Sequence, residues 1–387
     1  MTQATMRQAT MARQSIASRR KGTSVVQPNM VDYDSERKSF SWDAVRAQLA
    51  GLPNNQGLNI AWEAVSKHVL AGRGKEIAFR FLSQAGTRKD VSYEQLEERS
   101  NRFASALARL GVKKGDVVFS LAPRIEELYI AALGTLKNRS VFCPLFSAFG
   151  PEPIQTRMVK GDGCVLVTTA ALFHKKKLAD LRKNIPSLKF ILLADHDSDI
   201  EGDGVFEIWK LLDQADPNFQ IQPTDPEDFA LLHFTSGTTG TPKGVMHAHA
   251  AVTHHYQTGR SALDLQDGDI YWCTADPGWV TGTSYGIIAP LTCGVTTIVD
   301  EAEFDAARWY QILKEEQVDV WYTAPTAVRM LMKAGAEPME NLGNHRPRFI
   351  GSVGEPLNPE AIHWAMKTWG MPIHDNWWQS ETGARRS

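Results

Sequence analysis

The stretch that decides the fold is Phe229–Gly244, which reads FALLHFTSGTTGTPKG. Its first part, Phe229–Phe234, is a short apolar run with the length of a buried strand. The next ten residues contain three glycines, five hydroxyl side chains and one lysine, Lys243. A strand that leads directly into a glycine-rich loop is typical of α/β proteins, which hold ligands where their strands end.

The loop composition favours phosphate binding. Glycines leave backbone N–H groups uncovered, the hydroxyl groups add donors, and Lys243 adds one positive charge, which together suit a polyphosphate. It is not a Walker A loop, because Gly244 stands where that motif requires Ser or Thr after the lysine. A merely flexible Gly/Thr loop is the alternative, and the residue order and the preceding strand argue against it.

Strands and helices alternate on both sides of this stretch. Ser92 and Gln95 form a capping box that opens a helix, and Gly111 ends it. The alternation predicts an α/β fold with two mainly parallel sheets covered by helices. Strands are expected near 77–81, 117–121, 140–144, 164–168, 190–194, 229–234, 270–274, 295–299, 318–323, 349–353 and 373–375. Other helices are expected at 43–70, 125–137, from about 247, and at 284–291, 305–317, 326–334 and 359–369.

Composition excludes several classes of protein. The 387 residues carry 42 Lys+Arg and 44 Asp+Glu, a formal net charge of -2, with 43% hydrophobic residues. This balance is that of a globular protein and argues against a nucleic-acid binder. The four cysteines form no CxxC pair and indicate reduced thiols in the cytoplasm, and no apolar run is long enough to span a membrane. The arginine-rich, acid-poor start, Met1–Met30, suggests a disordered polar tail or, alternatively, an organelle transit peptide.

The order of residues in the loop resembles the phosphate-loop signature of the adenylate-forming enzymes, which include acyl-CoA synthetases and luciferases. Three more segments resemble later motifs of that family in the same order: Trp321–Thr326, Gly351–Pro356 and Asp375–Gly383. Within the family, the double tryptophan Trp377-Trp378 and the segment Asp276–Gly282 are similar to the acetate-activating branch, the acetyl-CoA synthetases. The resemblance is dense from about 228 to 383 and weaker from about 40 to 194.

This resemblance implies an ATP site with a metal ligand. Glu381 and Thr235 would bind Mg²⁺, and Lys243 and Glu381 would serve catalysis. The β- and γ-phosphates would contact Thr235, Ser236, Gly237, Thr238, Thr239, Gly240 and Lys243. Adenine and the rest of ATP would contact Gly354, Glu355, Pro356, Asp375, Asn376, Trp377, Gln379, Ser380 and Glu381. Asn376 stands where the branch usually has Thr. Both side chains are polar, so we expect the polar contact with the nucleotide to be altered and not lost.

The resemblance also implies sites for acetate and CoA. Val280, Thr281, Val353 and Trp378 match the acetate pocket, where the Trp378 indole would exclude longer acids by overlap. Arg157 aligns loosely with an arginine that contacts a CoA phosphate, and a solvated surface arginine is the equal alternative. The histidines between 233 and 255 favour no metal site, because His247 and His249 would not share a helix face.

The domain organisation follows from the same comparison. We expect a disordered tail at 1–38, a first α/β subdomain at 39–224 and a second one at 225–387, which together form the large N-terminal domain of this family. The family's mobile C-terminal domain, with its adenylation lysine, would be absent, because Ala384–Ser387 does not resemble the continuation. We therefore expect a truncated chain that binds ATP weakly and has little complete ligase activity.

Two other functions remain open from the sequence. A ligase for propionate or another short acid is the close alternative, because one methylene changes binding by only about 1–3 kcal/mol. A nucleotide-binding pseudoenzyme is the alternative from another class. Oligomeric state is not readable from the residues.

Overall fold

The computed structural model describes residues 18–20, 24–196, 198–235, 241–335 and 345–382. Within these ranges two seven-stranded sheets carry the fold, and β1 pairs with β2 in a separate antiparallel hairpin. The strands, in chain order, are β1 (Ser18–Arg20), β2 (Ser24–Val26), β3 (Ile77–Leu82), β4 (Arg88–Ser92), β5 (Val117–Leu121), β6 (Val141–Pro144), β7 (Gly163–Thr168), β8 (Phe190–Leu193), β9 (Val205–Glu207), β10 (Phe229–Thr235), β11 (Lys243–Ala248), β12 (Ile270–Cys273), β13 (Thr296–Asp300), β14 (Val320–Thr323), β15 (Phe349–Ser352) and β16 (His374–Asp375).

Helices cover both sheets. The α-helices are α1 (Tyr33–Ser39), α2 (Trp42–Arg46), α3 (Tyr93–Arg109), α4 (Glu126–Lys137), α5 (Pro151–Lys160), α6 (Ala170–Lys175), α7 (Leu178–Arg182), α8 (Ile208–Asp213), α9 (Ala251–Ser261), α10 (Val280–Thr283), α11 (Ala289–Cys293), α12 (Ala306–Glu315), α13 (Pro325–Ala334) and α14 (Pro359–Trp369). Wider π-helical turns lie at Trp62–Ser66, Val69–Arg73 and Ser284–Ile288, and 3-10 turns at Pro53–Asn55 and Ser380–Thr382. In the part of the chain that the structure describes, no helix is long and apolar enough to cross a membrane.

Both sheets are mainly parallel, as the alternation of elements predicts. The first has the order β11-β10-β6-β5-β7-β8-β9, and only its edge strand β11 is antiparallel to its neighbour. The second has the order β16-β15-β14-β12-β13-β3-β4, and only β4 is antiparallel. Parallel strands need a crossover connection between them, which the intervening helices provide.

Local signals explain several element ends. The Ser92 hydroxyl accepts from the Gln95 backbone N–H, and the Gln95 side chain accepts from the Ser92 N–H, so the capping box at the start of α3 is confirmed. Gly111, with φ of +80°, follows the end of the same helix, and a glycine adopts that conformation without strain. These two residues fix where α3 begins and ends.

The continuous helix expected at 43–70 is wrong. The chain forms the short helix α2, then a 3-10 turn, and becomes helical again only at Ile60. Gly57 explains the interruption: it has φ of +104° and pairs with Thr224, whose backbone approaches so closely that a Cβ would collide with it. The helix expected from about His247 is also misplaced, because His247 lies on β11 and α9 starts at Ala251.

The predicted division at 224/225 stays a prediction, but the sheets exchange strands across it. Strands β3 and β4 join the sheet formed by the later part of the chain, and β10 and β11 join the earlier sheet. The predicted tail, 1–38, includes residues with defined contacts: the Asn29 side chain donates to the carbonyls of Arg260 and Leu265 at 3.0 and 2.9 Å. Residues 1–17 lie outside the described part.

The main apolar core lies between the two sheets. One buried cluster combines Phe79 and Phe81 of β3 with Phe142 of β6 and Leu231 of β10. Tyr129 of α4 belongs to the same cluster, with its ring 4.6 Å from Phe79 and 5.5 Å from Phe81. The shared core therefore fixes the sheets against each other, and the loops at their strand ends with them.

Candidate functional site

The predicted phosphate loop connects two antiparallel strands. Thr235 ends β10 and stands opposite Lys243, the first residue of β11, so the loop is the tip of a β-hairpin. Lys243 is exposed and Thr235 half-buried, and the ammonium group of Lys160 in α5 donates to the Pro242 carbonyl at 2.7 Å. The remaining predicted phosphate contacts, Ser236, Gly237, Thr238, Thr239 and Gly240, lie outside the described residues.

Strand β11 also holds the turn that carries the predicted metal ligand. His247 Nε2 donates to the carbonyl of Ser380 at 2.8 Å, which fixes the turn Ser380–Thr382 against the strand. Burial lowers the pKa of His247, while the Ser380 carbonyl and the nearby Glu381 charge act in the opposite direction. The exposed Glu381 carboxylate is thus held beside the strand that pairs with β10, which ends at Thr235.

The side chains predicted to hold the metal are of a type that a hard divalent cation accepts. Glu381 offers carboxylate oxygens and Thr235 a hydroxyl, while phosphate and water oxygens normally complete the shell of Mg²⁺. In the described ranges, this position included, no group of three or more His, Cys, Asp and Glu side chains is arranged to hold a metal.

The two predicted adenine-lining segments follow neighbouring strands. Parallel strands β15 and β16 pair Ser352 with Asp375, so Gly354–Pro356 and Asp375–Trp377 start from the same edge of the sheet. Asp375 Oδ2 accepts from the Leu357 backbone N–H at 3.2 Å and ties the two segments together. Gly354 has φ of +102° and nothing near its Cβ position, which leaves room for a flat ring.

The second of the predicted adenine-lining segments presents a polar group and an aromatic ring. The Asn376 backbone N–H donates to the Ser352 carbonyl at 2.8 Å, while its Oδ1 is buried with no partner among the described groups. A buried acceptor without a partner is costly, and an amine or N–H group of a bound base would satisfy it. Trp377 is 81% exposed, so its ring face is available for stacking.

Glu355 is held by its own ion pair. Its carboxylate accepts from the Thr326 hydroxyl and from Arg329 Nη2, the latter at 2.9 Å. The Thr326 hydrogen bond, and then Arg329, lower the pKa of Glu355. The side chain is therefore directed to α13, and the turn 354–356 can line a ligand with its backbone.

Two of the four predicted acetate-pocket residues meet in one apolar cluster. Val353 is buried and the half-buried Trp378 packs against the same cluster, together with Tyr285 and Tyr322. The Trp378 ring lies 5.2 Å from Tyr285, and Tyr285 lies 5.8 Å from Tyr322. The other two, Val280 and Thr281, are half-buried on the short helix α10, which the Tyr285 turn continues.

The segment before α10 packs on a group of aromatic rings. Gly278 lies so close to the Phe146 backbone that a Cβ would collide with it. Trp279 packs on Phe146 and Phe149 at 5.3 and 5.9 Å, and the Arg157 guanidinium lies over Phe149 at 4.3 Å. Arg157 is only 8% exposed, so the alternative of a solvated surface arginine is wrong. Its contact with CoA stays a prediction.

A group of buried and half-buried histidines lies next to the turn Ser380–Thr382. The rings of His233 and His247 are 5.3 Å apart, and those of His254 and His255 are 6.2 Å apart. Burial lowers the pKa of each, to about 3 for His233. These rings are therefore neutral at pH 7. The sequence showed the histidines but not their grouping, because His233 and His247 meet only through the pairing of β10 with β11.

Residues that the sequence analysis did not single out complete the site. Tyr285 packs between Trp378 and Tyr322, and Phe146 and Phe149 support Trp279. The predicted nucleotide residue Gln379 is exposed, and its carbonyl accepts from the Thr382 hydroxyl at 2.8 Å within the turn. Only the position of Tyr285, shortly after Asp276–Gly282, could have pointed to it.

Comparison with known proteins identifies the class. The model of the AMP-binding enzyme family matches residues 67–385, and the chain belongs to that family. The chain is also similar to a crystal structure of an acyl-CoA synthetase from Brucella canis, with a TM-score of 0.83 and 32% identity over 90% of this chain and 62% of that one.

The relatives reported below are all acetyl-coenzyme A synthetases. The chain is 38% identical over 358 residues to the acetyl-coenzyme A synthetase of Bacillus subtilis, covering 92% of this chain and 61% of the relative. It is 38% identical to that of Methanothrix thermoacetophila and 35% identical to that of Escherichia coli K12, each over 84% of this chain. The chain spans 52% and 53% of the length of these two relatives.

Proposed function

We propose that this chain provides the nucleotide and acid sites of an AMP-forming acetate–CoA ligase. The reaction is acetate + ATP + CoA to acetyl-CoA + AMP + diphosphate, through acetyl adenylate. The observation that carries the proposal is the bond from His247 to Ser380, because it joins the phosphate hairpin to the segment Trp377–Glu381. That segment bears the proposed adenine, acid and metal contacts on five consecutive residues.

In the first step an acetate oxygen attacks the α-phosphorus of ATP, and the bond to the diphosphate oxygen breaks. The departing diphosphate carries the developing negative charge, so the exposed Lys243 ammonium and the Thr235 hydroxyl would stabilise it. Glu381 and Thr235 would hold Mg²⁺, which supplies further positive charge to the phosphates when bound. The neutral His247 would position Glu381 by fixing its turn.

The acid would be selected by size. Trp378 packs against Tyr285 and belongs to the cluster that contains Val353, so its indole would close the pocket beyond the acetate methyl group. Overlap with a fixed indole excludes longer chains more strongly than the loss of methylene contacts favours short ones. Val280 and Thr281 would line the opposite side.

In the second step the CoA thiol attacks the acyl carbon, and AMP leaves. The acceptor thiol belongs to CoA, and three of the four cysteines of this chain, Cys143, Cys164 and Cys273, are buried. Burial raises the pKa of Cys164 to about 12 and of Cys273 to about 11, which makes them poor nucleophiles. Arg157 is proposed to reach a CoA phosphate, although its guanidinium now lies on Phe149.

Binding of stable intermediate analogues tests the proposal. Acetyl-sulfamoyl adenosine, its propionyl counterpart and AMP are titrated calorimetrically into the purified chain. We expect the acetyl analogue to bind most tightly, with the Lys243→Met variant unchanged for it but weaker for MgATP. Tighter binding of the propionyl analogue would instead favour a propionate ligase. Equal affinity for AMP and both acyl analogues would favour a nucleotide-binding protein without an acid site.

A further inference from the structure

An open cavity of about 460 Å³ lies between the N-terminal segment and helix α9. The N-terminal segment covers it with Met30, Tyr33, Phe40 and Trp42, and most of its surface is apolar. Helix α9 contributes His254, Thr258 and Ser261 to its inner wall. None of the predicted nucleotide, acid or CoA contacts lines this cavity.

Thr258 connects the inner wall of the cavity to Tyr285. Its Oγ1 lies 2.8 Å from the His254 carbonyl and 2.8 Å from the Tyr285 hydroxyl. Because a carbonyl can only accept, the single Thr258 hydroxyl proton is donated to His254. Tyr285 must then donate to Thr258. Burial raises the pKa of Tyr285 to about 12, so the phenol retains this proton at neutral pH.

The opposite face of Tyr285 contacts the proposed acid pocket. Its ring lies 5.2 Å from Trp378 and belongs to the cluster that contains Val353. Tyr285 is 3% exposed, so it fills the space between these pocket residues and the cavity wall. The path from the cavity to Trp378 therefore runs through Thr258 and then the Tyr285 ring.

We propose that the Thr258–Tyr285 pair is the partition that sets the acid chain length, and that Tyr285 is a positioning residue for Trp378. The hydroxyl bond holds the Tyr285 ring, and the ring holds the indole against the acid. With the partition removed, the acyl chain of a longer acid enters the cavity beside Phe40 and Trp42. This inference rests on the proposed function and adds the residues that limit its substrate class.

Although Glu36, Arg37 and Arg260 also line the cavity, most of its surface is apolar and suits a hydrocarbon chain. Each methylene that leaves water there should tighten binding roughly four-fold. Wild-type protein cannot use that gain, because the Tyr285 ring occupies the connection. Specificity for acid chain length would thus depend on the hydroxyl pair of Thr258 and Tyr285 as well as on Trp378.

The test measures calorimetric affinities for acetyl-, butyryl- and hexanoyl-sulfamoyl adenosine. The variants are Thr258→Val, which removes one hydroxyl and preserves side-chain shape, Tyr285→Phe and Tyr285→Ala. We expect wild type to prefer acetyl over hexanoyl by at least about 100-fold. The ratio of acetyl to hexanoyl affinity should fall about ten-fold in Thr258→Val and Tyr285→Phe and further in Tyr285→Ala. The affinity for the acetyl analogue should change less than the affinity for the hexanoyl analogue.

Tyr256→Phe is the matched control, because it removes a phenolic hydroxyl from helix α9, which also carries Thr258. The Tyr256 hydroxyl accepts from Arg260 at 2.8 Å, and its ring does not line the cavity. Its affinity ratio should remain that of wild type. Ser261→Phe, added to Tyr285→Ala, should fill the cavity and restore the preference for acetyl, an effect that mere loosening of the pocket would not produce.

The outcomes separate the inference from the proposed function. If wild type binds acetyl-sulfamoyl adenosine and rejects the hexanoyl analogue, but Thr258→Val and Tyr285→Phe keep the wild-type ratio, the partition is wrong and the proposed function stands. If wild type binds no acyl analogue, the proposed function fails and the partition with it. Thr258→Val retains side-chain volume, so it decides the question even if Tyr285→Ala does not fold.

Discussion

Two adjacent tryptophans show how strongly the fold differentiates neighbouring residues. Trp377 is 81% exposed beside the proposed adenine site, whereas Trp378 packs on Tyr285. Both lie just after the short strand β16, where the chain leaves the sheet, and they face different surroundings. One indole is thus available to stack on a base and the other to close the acid pocket.

Replacing Trp378 by glycine should widen the acid range. Removal of the indole opens space next to Val353, so we expect butyryl-sulfamoyl adenosine to bind about ten-fold or more tightly than to wild type. Competition calorimetry between the acetyl and butyryl analogues measures the change. An unaltered preference for acetyl would show that Trp378 is not the wall.

Trp377→Ala serves as the contrasting variant. Its exposed ring is proposed to cover adenine, and base stacking on an aromatic ring contributes roughly 1–3 kcal/mol. We therefore expect AMP and all acyl analogues to lose affinity by a similar factor, about ten-fold, without a change in chain-length preference. A selective loss for longer acids would place Trp377 in the acid pocket instead.

At the scale of elements, the site depends on how strand β11 meets the turn Ser380–Thr382. That contact is one hydrogen bond from His247 Nε2 to the Ser380 carbonyl. His247→Ala removes the donor and should weaken MgATP binding several-fold by freeing the turn that carries Glu381. His247→Gln places an amide donor at nearly the same reach and should restore most of the affinity.

Titration of MgATP, compared with ATP in EDTA, separates the effect on the metal from a general loss of folding. The deficit of His247→Ala should be present with Mg²⁺ and largely absent without it. A deficit of equal size in both conditions would contradict a role for His247 in positioning Glu381.

Elements with strong local signals are those that the sequence predicted well. The capping box at Ser92, the glycine after α3 and the short apolar runs of the parallel strands each act within a few residues. The helix predicted at 43–70 failed because the contact of Gly57 with Thr224 breaks it. The prediction of a helix from about His247 was wrong because this segment pairs with β10 and forms strand β11.

The sequence indicated candidate site residues where they lie within one contiguous motif. Thr235, Lys243 and Glu381 lie on segments that the hairpin and the His247 bond bring together. The roles of individual residues in binding remain predictions. The Thr258–Tyr285 bond could not be read from the sequence, because it joins residues 27 positions apart through packing alone.

At the scale of the whole molecule, buried histidines make stability depend on pH. Burial lowers the pKa of His233 and His249 to about 3, from an ordinary value of 6.5. The unfolded chain therefore binds protons at a higher pH than the folded chain. The stability that these neutral rings contribute is complete above pH 6.5 and is lost as pH falls toward 3. At pH 5.5 the proton uptake of each unfolded histidine should lower the free energy of unfolding by on the order of 1 kcal/mol.

His249→Asn tests this account, because His249 Nδ1 accepts from the Ile60 backbone N–H at 3.0 Å and an imidazolium could not. Asparagine offers an acceptor at similar reach but does not titrate. Urea unfolding measures the free energy of unfolding at pH 7.5 and at pH 5.5. The decrease between these two pH values should be about 1 kcal/mol smaller in His249→Asn than in wild type. His363→Asn, on the exposed face of α14, should behave as wild type. An equal drop in all three proteins would contradict the prediction.

The central claim is that one site on this chain binds acetyl adenylate. A crystal structure of the chain with acetyl-sulfamoyl adenosine tests it most directly. We predict adenine between Gly354–Pro356 and Trp377 and the methyl group against Trp378. Adenine elsewhere, or an acyl group directed away from Trp378, would contradict the account.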